Sequence, residues 1–240
     1  MDYNPFMATP RLVLRFVRFF YAHFYNRLAF TYDPVSALVS RGEWRAWTNA
    51  ALPFIRGPRV LEIAVGTGNL QLDLRRAGFS PFGIELSPYM LDITRKKLIA
   101  RGDTLALTRS RVQALPFPDA SFDSLVMTFP PGFVADPHAV SEMRRVLAPG
   151  GCLLWVDAPY LYPRDLWSRF LNGLYHWTNS GSTSRSGKGL SRASRSESME
   201  TLDRILEEWL PRTGWTWRVE RVERVASQIH VLIGTRQEPS

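Results

Sequence analysis

One short segment constrains the fold of this chain more than any other. Residues 60–69 read VLEIAVGTGN, an apolar run followed by a turn of small residues that contains two glycines. Such a run predicts a buried strand, and glycine permits backbone angles that other residues rarely adopt. A helix that begins at this turn would direct a favourable field towards negative charge. The segment therefore predicts strand, turn and helix, with a nucleotide-like ligand against the turn.

The rest of the chain alternates between strand and helix patterns. We expect strands over residues 59–64, 82–85, 105–108, 122–128 and 152–157, and helices over residues 69–77, 88–101 and 137–147. A sharp Pro-Gly-Gly turn at residues 149–151 should separate the last helix from its strand. Two further β-rich runs, residues 216–225 and 229–234, should form an antiparallel pair. This order predicts an α/β, Rossmann-like doubly wound fold with a mostly parallel seven-stranded sheet.

The pattern divides the chain into four regions. Residues 1–55 should form an α-helical cap, with helices over residues 9–30 and 42–52, the second of which stops at Pro53. Residues 56–160 form the ligand-binding core and residues 211–240 complete the sheet. Between them, residues 161–210 should form a helical lid, with helices over residues 163–177 and 199–210 and a mobile Ser/Gly/Arg-rich loop over residues 179–198.

Composition narrows the setting of this fold. Cys152 is the one cysteine in 240 residues, which excludes an intramolecular disulfide and a cysteine-cluster metal site, and no metal is expected. Arg11, Arg15 and Arg18 interrupt the N-terminal apolar stretch, so neither a secretory signal nor a spanning helix fits, and a cytoplasmic location is expected. The net charge of +8 leaves an anionic partner open. The basic stripe could contact a membrane surface peripherally, or simply face solvent while the helix packs on the domain.

An acid at the end of the second predicted strand limits the class of ligand. Glu85 stands about twenty residues after the glycine turn, where such folds bind ribose hydroxyls. Dinucleotide-binding domains share this feature, so it does not separate one nucleotide cofactor from another.

Two later segments make that separation. Residues 113–119 read QALPFPD and residues 146–151 read VLAPGG. In order and spacing they resemble segments of class I S-adenosylmethionine (SAM)-dependent methyltransferases, in particular the ubiquinone/menaquinone biosynthesis C-methyltransferases with a type 11 methyltransferase domain. The resemblance covers roughly residues 59–157. It implies a methyltransferase with S-adenosyl-L-methionine as cofactor and S-adenosyl-L-homocysteine as product.

The resemblance also implies a set of site residues. Glu62 takes the acidic place of the first family motif and Ala64 replaces its first glycine, which should tighten the turn slightly without removing the site. Tyr32 belongs to a Tyr-Asp pair that forms part of a cap over the cofactor in the quinone-type enzymes, although it could equally pack the cap on the core. The residues expected at the cofactor are Tyr32, Glu62, Ala64, Val65, Gly66, Gly68, Glu85, Leu86, Val112, Gln113 and Thr128.

The sequence departs from the family pattern at two places. Arg111 stands where the family commonly has an Asp that contacts the adenine amino group, so only backbone contacts from Val112 are expected to persist. Residues 128–133 read TFPPGF, in which Phe129 and Gly132 replace the polar residue and the aromatic of the Asn/Asp-Pro-Pro-aromatic motif of amino-group methyltransferases. We interpret that segment as a rigid proline turn at the pocket floor.

The sequence gives least information about the molecule that would accept the methyl group. Because methyl transfer depends mainly on orientation, no fixed catalytic residue is demanded. His23, His138, His176 and Asp157 are candidate bases by residue type, and each could equally be a surface or cap residue. We expect a small, lipophilic or aromatic acceptor, no nucleic acid and no obligate protein partner. The alternatives are an RNA or protein methyltransferase, which the charge favours, and a non-catalytic SAM- or nucleotide-binding module, which Arg111 favours.

Overall fold

The computed structural model describes residues 28–130, 136–157, 159–179 and 215–236. These residues build one sheet, whose strands are β1 (Arg59–Ile63), β2 (Ser80–Glu85), β3 (Leu107–Arg109), β4 (Phe122–Thr128), β5 (Leu147–Val156), β6 (Tyr160–Leu161), β7 (Trp215–Glu223) and β8 (Ser227–Arg236). The order is β3-β2-β1-β4-β5-β8, with β7 beyond β8 and the two-residue β6 against the start of β8.

The strand directions confirm the predicted fold class. Strands β1 to β5 are parallel, whereas β8 runs antiparallel to both β5 and β7. Chain order reverses between β1 and β4, which lie side by side in the middle of the sheet. In open α/β sheets, ligands bind at the carboxyl ends of the strands beside such a reversal. The turn that follows β1 lies at this position.

Within the described residues, six α-helices accompany the sheet: α1 (Tyr32–Val39), α2 (Trp44–Thr48), α3 (Asn69–Arg76), α4 (Pro88–Ile99), α5 (Pro137–Val146) and α6 (Leu166–Asn179). The same residues include two short 3-10 helices, Ala29–Thr31 and Asn49–Phe54. Proline at the first position suits α4 and α5, because that backbone nitrogen has no partner within a helix. The Ser87 hydroxyl caps α4 by accepting from the Met90 N–H at 3.3 Å, and the Asp136 carboxylate caps α5 through the His138 N–H at 2.9 Å.

Two apolar clusters cover the two faces of the sheet. Alternate side chains of the central strands divide between them: Leu61 and Met127 belong to one cluster, and Val60 and Val126 to the other. All four are buried. Because both faces are covered, β1 and β4 read as nearly continuous apolar runs, as expected of parallel strands.

Most predicted elements occur within two residues of their predicted ends, but two predictions were wrong. The helix predicted over residues 42–52 begins at Trp44, because Arg41 and Gly42 have φ of +54° and +86°, and it tightens at Asn49 into a 3-10 helix that includes Pro53. The Pro-Gly-Gly turn is part of β5 as an irregularity, since Phe122 pairs with Leu147 while Ser124 pairs with Cys152. Helix α1 was not predicted.

Several predicted features lie outside the described residues. They are nearly all of the helix over residues 9–30, the loop over residues 179–198 beyond its first residue, the helix over residues 199–210 and the second half of the proline turn at residues 128–133. In the part of the chain that the structure describes, no helix combines the length and the apolar character needed to cross a membrane.

Candidate active site

The turn after β1 has a left-handed backbone at three alternate positions. Ala64, Gly66 and Gly68 have φ of +61°, +59° and +80°. Ala64 adopts this conformation although it is not glycine, which costs about 1 kcal/mol. The chain therefore keeps the alternating turn at the position where the first glycine of the family motif is replaced.

Neighbouring elements hold the turn in place. The Val65 N–H donates to the carbonyl oxygen of Ile84 at 3.1 Å, which extends the pairing of β1 with β2. From α4, the Thr94 hydroxyl donates to the carbonyl oxygen of Gly66 at 2.8 Å. Thr94 is fully buried, so this hydrogen bond fixes the turn from the protein side.

The two glycines of the turn have different surroundings. A Cβ at Gly68 would lie 2.5 Å from Cγ2 of Thr94, so glycine is needed there for packing against α4. A Cβ at Gly66 would have no atom within 4 Å. The turn therefore exposes its backbone to open space at Gly66, where a ligand could approach closely.

Glu85 joins this turn to the end of β2. Its Oε2 accepts from the Gly66 N–H at 2.9 Å and its Oε1 accepts from the Ser87 N–H at 2.8 Å. Burial raises the pKa of this carboxyl above its usual value, against the lowering effect of backbone hydrogen bonds from Ser87, Gly66 and Leu86. A carboxylate oxygen can accept a second hydrogen bond, so Glu85 can still bind ligand hydroxyls beside the turn.

Glu62 is the most buried acid of the site, with 2% of its surface exposed. Burial raises the pKa of its carboxyl to about 8, although a hydrogen bond from Gln71 acts to lower it. Its Oε2 and the Oε1 of Gln71 have no hydrogen-bond partner among the described residues. Both oxygens are shielded from solvent, so they form an unsatisfied polar pair in the interior.

The cap lies over the carboxyl end of β4 through aromatic contacts. The Tyr32 ring meets Trp44 edge-on at 5.9 Å, and Trp44 packs on Phe129 with 4.9 Å between ring centroids. Phe129 directly follows β4 and has a φ of +49°, which is unusual for a bulky residue and occurs often at functional sites. Thr128, the last residue of β4, is half-buried beneath this wall.

A polar contact that was not predicted also joins the cap to the turn. Asp33, next to Tyr32 in α1, accepts from the Thr67 hydroxyl at 2.6 Å and from the Asn69 side chain at 3.0 Å. Lys97 of α4 donates to Asp33 at 2.5 Å and to Asn69 at 2.9 Å. The Tyr-Asp pair was a signal for Asp33, but no sequence signal identified Lys97.

The remaining predicted cofactor residues follow β2 and β3. Leu86 is 53% exposed, whereas Val112 is 6% exposed. The Gln113 side chain donates to the Asp136 carboxylate at 2.9 Å, which connects this loop to α5. Arg111 is exposed, and its carbonyl oxygen accepts from the Ala114 N–H at 3.1 Å. The structure therefore places an exposed guanidinium group, not a carboxylate, where the family commonly has the adenine contact.

The candidate bases do not belong to one element of the structure. His138 lies in the first turn of α5, and Asp157 follows β5, where its N–H donates to the carbonyl oxygen of His230 at 2.9 Å. His176 belongs to α6, and His23 is outside the described residues. His230 was not predicted; its Nε2 lies 2.7 Å from Nε2 of Gln228, and burial lowers its pKa. Where the chain is described, no group of three or more metal-binding side chains occurs.

Comparisons with known proteins agree with this geometry. The methyltransferase domain family matches residues 60–151. The chain is 38% identical over 141 residues to a demethylmenaquinone methyltransferase of Thermus thermophilus, covering 56% of this chain and 64% of that protein. It is 37% identical over 145 residues to the ubiquinone/menaquinone biosynthesis C-methyltransferase UbiE of Cellvibrio japonicus, covering 57% and 58%. The match thus spans a little under two thirds of the length of these relatives.

Solved structures share the fold. A SAM-dependent methyltransferase of Thermotoga maritima is 20% identical, covers 90% of this chain and all of its own, and has a TM-score of 0.56. One from Methanosarcina mazei is 18% identical, covers 79% and 98%, and has a TM-score of 0.51. Identities this low establish only the architecture. Together with the sequence matches, they show that residues 60–151 are similar to methyltransferase domains and that the described residues have a Rossmann-like fold.

Proposed function

We propose that this protein is a SAM-dependent methyltransferase that transfers a methyl group to a small, lipophilic or aromatic acceptor and releases S-adenosyl-L-homocysteine. The observation that carries the proposal is the open backbone at Gly66, whose N–H donates to the buried carboxylate of Glu85. A glycine that faces open space while its neighbours are packed fits a ligand-binding turn better than a structural one.

The chain fits this cofactor at several points. Glu85, adjoining Gly66, would bind the ribose hydroxyls. Glu62, which takes the acidic place of the first family motif, would organise contacts to the methionine part. Leu86, Val112 and Gln113 would line the adenine side, with backbone contacts replacing the absent acid at Arg111. Tyr32, Val65 and Thr128 would complete the enclosure. When bound, the cofactor supplies a methyl group activated by a positive sulfur.

The aromatic wall supports the proposed acceptor class. Tyr32, Trp44 and Phe129 pack over the end of β4, so a flat apolar molecule would find stacking surfaces there. The curated relatives are named for menaquinone and ubiquinone biosynthesis, and we propose an acceptor of similar aromatic, lipophilic character. The protein would contribute orientation and exclusion of water, which lower the barrier without a fixed base.

Other aspects of the proposal come from sequence patterns. We propose that the chain works in the cytoplasm without an obligate protein partner, and that its N-terminal basic segment could contact a membrane surface to deliver a lipophilic acceptor. We further propose that the chain divides into cap, core, lid and C-terminal strands at residues 55, 160 and 210.

Calorimetry with SAM, S-adenosyl-L-homocysteine and NAD tests the cofactor. We expect both SAM compounds to bind and NAD not to bind. Binding of NAD without either SAM compound would contradict the proposal. Binding of SAM without turnover on quinol-like acceptors would favour the non-catalytic alternative. An RNA titration at two salt concentrations tests the alternative of an RNA methyltransferase. If no RNA binding is detected even at low salt, that alternative is excluded.

A matched pair of glycine variants tests the position of the pocket. Gly66→Ala should weaken S-adenosyl-L-homocysteine binding about tenfold or more, because the new methyl group would enter the space that the ligand approaches. Gly78→Ala is the control: Gly78 also has a positive φ, +87°, and no atom within 4 Å of a Cβ, but it follows α3 at the opposite end from the turn. Both variants carry similar backbone strain. Equal affinities in the two folded variants would place the pocket elsewhere.

A further inference from the structure

Four parts of the fold meet at one carboxylate. Asp33 belongs to cap helix α1, Thr67 to the glycine turn, Asn69 to the start of α3 and Lys97 to α4. The Asp33 Oδ1 accepts from Thr67 and Asn69, and its Oδ2 accepts from Lys97. Asn69 closes the network because its own oxygen accepts from Lys97. Both carboxylate oxygens therefore bind groups on other elements.

This network differs from an ordinary surface ion pair. The side chains of Lys97 and Asp33 are 26% and 37% exposed, whereas those of Lys96 and Asp92, a pair within α4, are 74% and 57% exposed. Pairs within one exposed helix contribute little to stability and cannot join separate elements. The Asp33 contact connects residues 64 positions apart in the chain.

The charge of Asp33 is favoured by its partners. Burial acts to raise the pKa of its carboxyl, but the hydrogen bonds from Lys97 and Thr67 and the charge of Lys97 outweigh that effect, and the pKa lies below its usual value. The carboxylate is therefore ionised at neutral pH, and its hydrogen bonds are of the stronger, charge-assisted kind.

The location of the contact gives it a consequence for ligand binding. Thr67 lies between Gly66, whose backbone faces open space, and Gly68, which packs on α4. Asp33 adjoins Tyr32, whose ring meets Trp44 in the aromatic wall. An opening of the cap at Asp33 would thus release one side of the turn and displace that wall.

We propose that Asp33 and Lys97 are positioning residues that latch the cap onto the glycine turn and so slow the release of the cofactor. The effect on release rests on the proposed function, whereas the latch itself is a property of the free protein. The two residues act through the cap and the turn, so the methyl-transfer step itself should change little.

The test uses the full chain with variants Asp33→Asn and Lys97→Met. Asp92→Asn and Lys96→Met are the controls, since they make the same substitutions in a Lys–Asp pair that lies wholly within α4. Hydrogen exchange of the free protein should be faster over residues 32–48 in the latch variants, while exchange in β4 stays unchanged. S-adenosyl-L-homocysteine should dissociate roughly tenfold faster, with KM for SAM raised more than kcat is lowered.

Two further comparisons separate positioning from general stability. Lys97→Arg keeps the charge and should restore most of the slow dissociation. In the double variant, the effect should be smaller than the sum of the two single effects, because each single change already breaks the shared contact. Exchange and dissociation at the control rates in both latch variants would overturn the proposal. If the unmodified protein binds no SAM compound, the proposed function fails, but exchange over residues 32–48 still decides the latch.

Discussion

At the scale of single residues, the buried acid Glu62 makes folding stability depend on pH. Glu62 lies beneath the turn with its carboxyl withdrawn from water, and its pKa of about 8 means that it holds a proton at neutral pH. In the unfolded chain the same carboxyl would titrate near 4.5. The folded state thus binds one more proton than the unfolded state between these two values, and folding stability falls as pH rises through that window.

The variant Glu62→Gln tests this linkage. It keeps the shape of the side chain but cannot titrate, so the free energy of unfolding should decrease less from pH 5 to pH 8 than in the unmodified protein. Urea unfolding at several pH values measures the difference. Glu142→Gln is the control, because Arg145 lowers the pKa of Glu142 and moves its contribution below this window. Identical pH slopes for Glu62→Gln and the unmodified protein would contradict the burial argument.

At the scale of elements, helix α5 holds the loop over residues 113–119, whose sequence resembles that of methyltransferases. Arg145 of α5 donates to the carbonyl oxygens of Leu115 and Phe117 at 2.9 and 2.7 Å. It also binds both oxygens of Glu142, and Glu142 in turn accepts from the Leu115 N–H at 2.8 Å. These hydrogen bonds satisfy the backbone of a loop that two prolines keep out of regular structure. The spacing of the loop identified it, but its support comes from a residue about 30 positions later.

Replacement of Arg145 by lysine should therefore weaken the loop despite the conserved charge. A lysine cannot reproduce the planar fork that binds two carbonyl oxygens and a carboxylate together. We expect Arg145→Lys to lower the free energy of unfolding by about 2 kcal/mol. Arg95→Lys, at an exposed position of α4, should change it by less than about 0.5 kcal/mol. Denaturant unfolding checks both, and equal stabilities would show that the loop does not need this support.

At the scale of the whole molecule, the C-terminal strands complete the core. β8 pairs with β5 on one side and β7 on the other. Its residues Ile229, Val231 and Ile233 are at most 1% exposed and share an apolar cluster with Leu154 and Val156 of β5. Without β8, the edge of β5 and the β5 side chains in that cluster would meet water.

A shortened chain tests this dependence. A chain that ends at residue 213 lacks β7 and β8 and should aggregate or fail to unfold cooperatively, whereas one that ends at Arg236 should behave as the full chain does. Size-exclusion chromatography and thermal unfolding followed by circular dichroism distinguish the outcomes. A monomeric chain of 213 residues with a cooperative transition would show that the parallel strands form an independent unit.

Local patterns were enough for much of this structure. The apolar runs of β1 and β4, the proline starts of α4 and α5 and the glycine turn are set by interactions within a few residues, so the sequence determined them closely. The segments at residues 113–119 and 146–151 indicated the similarity to methyltransferase domains, again from short stretches of sequence. These features depend on backbone propensity and on alternation of apolar residues, which can be read along the chain.

Contacts between distant residues were decided only by the tertiary structure. The path of β5 through Pro149 and Gly150 depends on its pairing with β4. The end of α2 at Thr48, where a 3-10 helix follows, was likewise not evident from the sequence. The Asp33 to Lys97 contact and the support of Leu115 by Arg145 join elements far apart in sequence. Charged side chains carry no periodic signal for their partners, because the chain path between them decides which ones meet. The sequence thus determined the turn, whereas the fold decided what holds it.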